Sequence, residues 1–348
     1  MSRHVIVVRL DSMGDVLVCG PAVRAVAARA SEVTLLVGPR GAEAARLLPG
    51  VNHVVVWDCP WISADAPRVH SADLERVIDG IRGTGATDAL VLTSFHQSAL
   101  PTALVLRLAG MTWIAAISVD YPGSLLDLRL PEPDDAPEPV RMLAVAEAAG
   151  FPRPPSDDGR LAVTVTAVTL PADLPCEYVV LHPGAAASSR TCSPAVWAGF
   201  LDALRQAGRV VALTGTARER ATAEAIVHAR IADTGVRNLT GALTLAELAA
   251  VMQMAACVVS GNTGPAHLAA AVGTPVVSLF SPVVPARRWA PYGHAVVVLG
   301  DQDAACAGTR ATRCPIPGHP CLDGVDPMTV VDAVLALSGQ SLLTAGAH

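Results

Sequence analysis

The chain has 348 residues, of which 51% are hydrophobic and 16% charged, and its formal net charge is -6. This length suits two domains of ordinary size, and the acidic balance argues against a nucleic-acid partner, because phosphate backbones require a basic surface. All 25 basic residues are arginine, which excludes a lysine Schiff base or a Walker-type lysine. Any anionic ligand must therefore be held by Arg, His, backbone amides or helix ends.

The first apolar run of the chain, Val5–Val8, has the character of a strand and not of a hydrophobic leader. No apolar run reaches the roughly 18 residues that a membrane span requires. We therefore expect a cytoplasmic protein without a transmembrane segment, and we leave peripheral contact with a membrane open.

Strands and helices alternate along the first half of the chain. The run HVIVVRL precedes the helix-like GPAVRAVAARA, and EVTLLVG, GAEAARLL and HVVVWD follow. The stretch DLERVIDGIRGTG then leads into DALVLTS. This alternation predicts a parallel sheet covered on both faces. The unbroken apolar strands agree with it, since both faces of such strands are buried.

Two Pro/Asp-rich patches interrupt the alternation near the middle of the chain. They are PEPDDAPEPV, at Pro131–Val140, and FPRPPSDDGR, which follows the helix-like RMLAVAEAAG. They predict a domain boundary shortly afterwards, with a linker over 166–175. The alternation restarts with EYVVLHPGA and runs through TPVVSLFSP. We therefore predict an α/β protein of two doubly wound domains, over 1–168 and 169–348.

Ligands of open parallel sheets bind beyond the carboxyl ends of the strands, so the loops after strands are the candidate sites. In the first loop, Gly14 permits a tight turn and Asp15 falls in the first turn of a helix. Asp15 either complements the helix dipole or acts as a general base that accepts a proton from a hydroxyl. We expect Asp11 to orient the loop.

The loop after the first strand of the second domain spans Leu181–Pro194. Its small residues Gly184 and Ala185 allow close approach of the backbone to a ligand. Arg190 is suited to a phosphate. The alternative is a loop whose Ser and Arg side chains only face water.

A third loop, Asn262–Pro265, opens a helix that carries His267. Amides at a helix start bind anions. The alternatives are that Asn262 or Thr263 is only an N-cap and that His267 is a core histidine. The loop lacks the G-x-G-x-x-G fingerprint, and no copy follows the first strand, which disfavours a nicotinamide dehydrogenase.

Three stretches resemble glycosyltransferase family 9, the heptosyltransferase family, in order over nearly the whole chain. SMGDVL, at Ser12–Leu17, resembles the N-terminal motif of that family. GNTGPAHLAAAVGTPVVSLFSP resembles its DTG…H donor motif, and RRWAPYG the segment after it. The resemblance implies the GT-B architecture, with two Rossmann-like domains facing a central cleft. The N-terminal domain would bind mainly the acceptor and the C-terminal domain mainly the nucleotide-sugar donor.

The resemblance also implies a metal-independent, inverting transfer of a sugar from an ADP-sugar, typically ADP-heptose. The acceptor would be a hydroxyl of a glycan or small natural product, Asp15 the general base, and no cofactor would take part. The implied contacts are Ser12 and Gly14 to the reacting sugar, Gly184 and Ala185 to the phosphates, Thr263, Gly264 and His267 to the pyrophosphate, Glu219 to the ribose, and Leu243 to the adenine.

The chain departs from the family pattern at two positions. Asn262 stands where the family has the aspartate of DTG, which removes a charge beside the donor sugar. The phosphate-binding lysine of the family is missing, and Arg190 is its nearest substitute. Two alternative functions stay open: a nucleotide-sugar epimerase or hydrolase, and a protein that binds a nucleotide sugar without turnover.

Three of the eight cysteines, Cys306, Cys314 and Cys321, cluster with His319 near the end of the chain. Their spacing matches no standard zinc pattern. We expect free thiols there, with a structural zinc or a disulfide as the alternatives.

Overall fold

The structure is a computed structural model that describes residues 3–62, 68–166, 174–227 and 235–344. The chain divides into two compact units, Met1–Thr164 (unit 1) and Val165–His348 (unit 2). The predicted boundary between residues 168 and 169, and most of the predicted linker, lie outside the described residues.

Unit 1 is built on a six-stranded parallel sheet with the order β3-β2-β1-β4-β5-β6. Because β1 pairs with both β2 and β4, the strand order reverses beside β1, and such a switch point is where open sheets bind ligands. The strands are β1 (His4–Arg9), β2 (Glu32–Val37), β3 (His53–Val56), β4 (Asp88–Val91), β5 (Trp113–Ile117) and β6 (Leu128–Leu130). The helices are α1 (Met13–Leu17), α2 (Gly20–Ala27), α3 (Ala42–Leu47), α4 (Ser71–Arg82), α5 (Leu100–Leu108) and α6 (Glu138–Ala148).

Unit 2 repeats this plan with a second parallel sheet, in the order β12-β11-β10-β7-β8-β9. Its switch point lies between β7 and β10. The strands are β7 (Val179–His182), β8 (Val211–Leu213), β9 (Val236–Asn238), β10 (Cys257–Gly261), β11 (Val276–Leu279) and β12 (Val296–Leu299). The helices are α7 (Pro194–Gln206), α8 (Arg220–Val227), α9 (Leu245–Gln253), α10 (Gly264–Ala271), α11 (Ala286–Trp289), α12 (Pro320–Asp323) and α13 (Pro327–Thr344).

The predicted fold class, an α/β protein with two doubly wound parallel sheets, is confirmed. The central strands β1 and β10 are buried almost throughout, as their unbroken apolar sequence indicates. The edge strands β6 and β9 were not predicted, because each has only three residues with an arginine in the middle. Within the described ranges, no helix combines the length and the apolar character needed to cross a membrane.

Candidate functional site

The loop after β1 places Asp15 in the first turn of α1, as predicted. The hydroxyl of Ser12 donates to Asp15 Oδ2 over 2.5 Å, and the Ser12 backbone amide donates to the same oxygen over 3.2 Å. Ser12 and Asp15 therefore form a capping box. Asp15 thus has a structural role at the start of α1, whether or not it is also a base. The side chain of Asp15 keeps 21% of its surface exposed, which leaves the carboxylate accessible from one side.

Arg9, the last residue of β1, lies completely buried behind Asp15. Its Nη2 donates to Asp15 Oδ1 over 3.1 Å and to the hydroxyl of Ser94 over 2.8 Å, and its Nε lies 3.0 Å from Asp11 Oδ2. Burial disfavours the charge of Arg9, but Asp11 and Asp15 outweigh it and raise the pKa of Arg9. The guanidinium thus fixes both carboxylates of the loop.

Asp11 joins the loop after β1 to the loop after β4. Gln97 Nε2 donates to Asp11 Oδ1 over 2.6 Å, and the Gln97 side-chain oxygen accepts the amide of Ser94. Burial raises the pKa of Asp11, although Arg9 opposes the shift. These bonds agree with the loop-orienting role expected of Asp11.

A cavity of about 300 Å³ opens beyond β4 and β5, next to Gln97. Its volume is at the lower end of the range typical of small-molecule sites. Arg141 borders it and donates to both carboxylate oxygens of Glu132, over 2.7 and 2.6 Å. The lining residues are Phe95, His96, Gln97, Ser98, Ile117, Ser118, Val119, Asp120, Glu132 and Arg141.

Sequence reasoning missed Glu132, Glu138 and Arg141. The first two lie in the Pro/Asp-rich patch that only suggested a nearby boundary, yet Glu138 has no exposed surface. The one local signal was the spacing of Glu138 and Arg141, three residues apart at a helix start, which suits an ion pair. Their burial against Arg9 depends on tertiary structure.

The implied contact residues other than Ser12 and Gly14 follow carboxyl ends of strands in unit 2. They are Gly184, Ala185 and Arg190 after β7, Glu219 after β8, Leu243 after β9, and Asn262, Thr263, Gly264 and His267 after β10.

The structure brings Gly184 and Glu219 together. A Cβ on Gly184 would lie 2.1 Å from Glu219 Oε1, so only glycine lets the loop after β7 pass the carboxylate. Glu219 accepts from the amide and the hydroxyl of Thr216, over 2.6 and 2.9 Å. Its carboxylate is therefore fixed at the carboxyl end of β8.

The start of α10 presents unpartnered polar atoms. Thr263 occupies the N-cap position but makes no side-chain capping hydrogen bond. Its Oγ1 and Asn262 Oδ1 are buried and lack a hydrogen-bond partner among the described residues. Buried oxygens without partners are costly, and the positive end of the α10 dipole lies beside them. A Cβ on Gly261 would lie 2.5 Å from the carbonyl oxygen of Arg190, so the loop of Arg190 packs against this helix start.

Two side chains hold the loop after β7, the half-buried Thr191 and the buried Trp197. Thr191 donates its hydroxyl to the carbonyl of Pro183 over 2.6 Å, and Trp197 Nε1 donates to Thr191 Oγ1 over 2.9 Å. Trp197 is completely buried in the core of unit 2. The backbone around Gly184 is therefore attached to a rigid part of the fold.

His182 ends β7 and is held neutral. Its Nδ1 lies 2.9 Å from Thr214 Oγ1, and only 4% of its surface is exposed. Burial lowers the pKa of His182 to about 4, although the Glu219 carboxylate opposes the shift. The unfolded chain binds a proton at this residue more readily than the folded protein does. The contribution of neutral His182 to the free energy of unfolding is therefore complete above about pH 6.5 and is lost as the pH falls toward 4.

We therefore expect the melting temperature to fall by about 4–8 °C between pH 7 and pH 5 through His182 alone. The variant His182→Gln keeps a polar side chain but does not titrate, so its melting temperature should depend less steeply on pH. Parallel melting curves of the two proteins from pH 5 to 7 check this. Equal slopes would contradict it.

The cysteines are all free thiols in the structure. Burial raises the pKa of Cys321 to about 11 and that of Cys257 to about 12. Across the described ranges, no group of three or more His, Cys, Asp or Glu side chains is placed to hold a metal ion.

Comparisons with known proteins point to one family. The model of "Glycosyltransferase family 9 (heptosyltransferase)" matches residues 123–318. Lipopolysaccharide heptosyltransferase 3 of Escherichia coli is 30% identical over 137 residues, which are 39% of this chain and 40% of that protein. The aligned part thus spans about two fifths of that relative.

Two solved structures resemble the whole chain. ADP-heptose lps heptosyltransferase II of E. coli superposes with a TM-score of 0.75 at 19% identity, covering 98% of this chain and 99% of that one. A glycosyl transferase family 9 protein of Veillonella parvula gives a TM-score of 0.76 at 15% identity, covering 98% of each chain. At such identities the likeness establishes the fold, and the expected GT-B fold is confirmed.

Proposed function

Because this chain belongs to glycosyltransferase family 9, we propose that it transfers a sugar, a heptose, from an ADP-sugar to a hydroxyl acceptor. The observation that carries the proposal is the start of α10, where Asn262 Oδ1 and Thr263 Oγ1 are buried without partners. A sugar diphosphate would supply both the anion that suits the helix dipole and hydrogen-bonding groups for these oxygens.

The donor is assigned to the carboxyl edge of the sheet in unit 2. Arg190, His267 and the amides at the start of α10 bind the diphosphate, with Gly184 and Ala185 passing close to it. Glu219 accepts hydrogen bonds from the ribose, and the backbone at Leu243 meets the adenine. ADP-heptose is the first donor to test, since the similar E. coli enzyme carries it in its name. Asn262 would give the sugar a neutral hydrogen bond in place of a charged one.

Asp15 is the general base of the proposed reaction, with Ser12 and Gly14 beside the reacting sugar. As the acceptor oxygen forms its bond to the anomeric carbon, Asp15 takes the hydroxyl proton. The bond from that carbon to the diphosphate breaks, and ADP leaves with its electron pair. Attack opposite the leaving group inverts the anomeric centre. Arg190 and the α10 dipole stabilise the charge that develops on the diphosphate.

The acceptor is assigned to the N-terminal domain, 1–168, at the cavity beside Gln97, and the donor to 169–348. Charge in this region favours an uncharged acceptor. Residues 1–164 contain 14 arginines and 19 Asp and Glu residues, a net charge of -5. Arg141 at the cavity is already paired with Glu132. A glycan or small natural product without phosphate groups fits this surface better than a polyanion.

One experiment tests both halves of the proposal. We expect ADP-heptose at 100 times its Kd to stabilise the folded protein by about 2.7 kcal/mol, seen as a raised melting temperature, with a smaller effect of the UDP-sugars. We expect ADP release, with EDTA present, only when a hydroxyl acceptor is added, and more of it with neutral than with phosphorylated saccharides.

Each other outcome of this experiment has a defined meaning. Consumption of the ADP-sugar without any acceptor would favour the epimerase or hydrolase alternative. A raised melting temperature without turnover on any acceptor would favour a binding protein. Loss of transfer in EDTA would show a metal requirement. No response to any nucleotide sugar would overturn the proposal. A cytoplasmic location stays a prediction.

A further inference from the structure

A buried charge cluster lies behind Asp15 in unit 1. Two guanidinium groups at its centre are almost completely enclosed, since Arg9 and Arg141 expose 0% and 2% of their surface. Four carboxylates surround them within 4 Å. The cluster consists of Arg9, Arg141, Asp11, Asp15, Glu132 and Glu138.

The contact between Arg9 and Asp15 has two opposite effects on a general base. It orients the carboxylate, because Nη2 of Arg9 donates to Asp15 Oδ1 and to Ser94. A neighbouring positive charge also stabilises the ionised carboxylate, so the carboxylate accepts a proton less readily. A general base works best when its proton affinity matches the working pH. An Arg9 whose charge is not balanced by further carboxylates would therefore weaken Asp15. Asp11, 3.0 Å from Arg9 Nε, is one such carboxylate.

Glu138 supplies a second such carboxylate, beside Nη1 of Arg9. Its Oε2 lies 3.9 Å from Nη1 of Arg9 and 3.6 Å from Nη1 of Arg141. Neither carboxylate oxygen makes a hydrogen bond to a described residue, so the two guanidinium charges are its main stabilising contacts. Burial raises the pKa of Glu138, and Arg9 and Arg141 oppose the shift. Glu138 has no exposed surface, so it cannot touch a substrate and acts on Asp15 through Arg9 and through the charge it places near Asp15.

Other groups facing the cluster come from the neighbouring elements. Asp11, on the loop after β1, is held by Arg9 and Gln97, and Arg40, from the turn after β2, also lowers its pKa. Burial raises the pKa of Cys19 to about 12, so this thiol is uncharged at neutral pH. Glu132 forms its ion pair with Arg141. Among the residues that the structure describes, Glu138 is thus the carboxylate that lies within 4 Å of both guanidinium groups.

We propose that Glu138 is a positioning residue for the transfer reaction: its buried carboxylate balances the charge of Arg9, so that Arg9 orients Asp15 without removing its basicity. This inference rests on the proposed role of Asp15 as the general base. It predicts that loss of the Glu138 charge makes Asp15 a weaker base while the donor site in unit 2 is unaffected.

The test follows the carboxyl carbon of Asp15 by NMR in the full chain labelled with ¹³C-aspartate, with the signal identified by its loss in Asp15→Asn. In Glu138→Gln, we expect the pH midpoint of the Asp15 signal to move down by about one unit. The acid limb of the kcat profile should move in the same direction, and the plateau kcat should fall about threefold. The KM for the ADP-sugar should not change.

Glu147→Gln is the matched control, since it removes the same charge from an exposed position on the same helix. It should leave the midpoint and the kcat profile unchanged. Glu138→Asp keeps the charge but moves it away from Arg9, so the pH midpoint of Asp15 should move in the same direction by a smaller amount. The same variant replaces Glu138→Gln in the test if Glu138→Gln does not fold. An unchanged midpoint in a folded Glu138 variant overturns the inference. If Asp15→Asn keeps its activity, the base assignment fails instead, and the midpoint still reports whether Glu138 controls Asp15.

Discussion

Asp15→Asn should lower kcat by about 10²- to 10⁴-fold, the range that a general base contributes. The amide is nearly the same size, and its one oxygen can still accept from Ser12, so the capping box of α1 should persist while the contact with Arg9 is weakened. An amide does not take up the proton of the attacking hydroxyl. The measurement is the rate of ADP release with a saturating acceptor, for the variant and the wild type at equal donor occupancy.

The control for this variant is donor binding, because Asp15 lies in unit 1 and the donor is assigned to unit 2. The increase in melting temperature with ADP-heptose should be the same in both proteins. Asp79→Asn makes the same chemical change on the exposed face of α4, where Asp79 pairs with Arg82, and should keep the full rate. If Asp15→Asn kept a rate within twofold of the wild type, its only role would be the cap of α1.

Arg190→Ala should raise the Kd for ADP about 10- to 100-fold. Arg190 is the nearest substitute for the phosphate-binding lysine that the family resemblance implies, and the chain contains no lysine. A charge-assisted hydrogen bond to a diphosphate contributes about 1.5–3 kcal/mol, which corresponds to this loss. Titration of the folded variant with ADP, by calorimetry, measures the change.

Adenosine separates a phosphate contact from a general loss of the site. Because adenosine has no diphosphate, Arg190→Ala should bind it as the wild type does. Arg190→Lys should recover part of the ADP affinity, since it restores the charge but not the bidentate geometry. Arg209→Ala removes a charge near the amino end of β8, where Arg209 pairs with Glu177, and should leave ADP binding unchanged. Equal losses for ADP and adenosine would contradict a diphosphate contact at Arg190.

Local sequence signals predicted where the candidate residues would lie. Apolar runs such as β1 and β10 form buried strands whatever surrounds them, because both of their faces need cover. The turn residues that follow them, Gly14 and Gly264, identify the helix starts. Because these glycines mark the helix starts, the order of residues alone predicted two features. They are the position of Asp15 on α1 and the start of α10 just after Thr263.

Which side chains meet across those strand ends was decided only by the tertiary structure. Arg9 contacts Glu138, which is 129 positions away, and a Cβ on Gly184 would meet Glu219, 35 positions further along the chain. Nothing in the local pattern encodes such pairs, since each partner alone has the signature of an ordinary polar turn or strand end. They exist because parallel strands bring distant loops to one edge of a sheet, and because a guanidinium buried there is stable only with carboxylates around it.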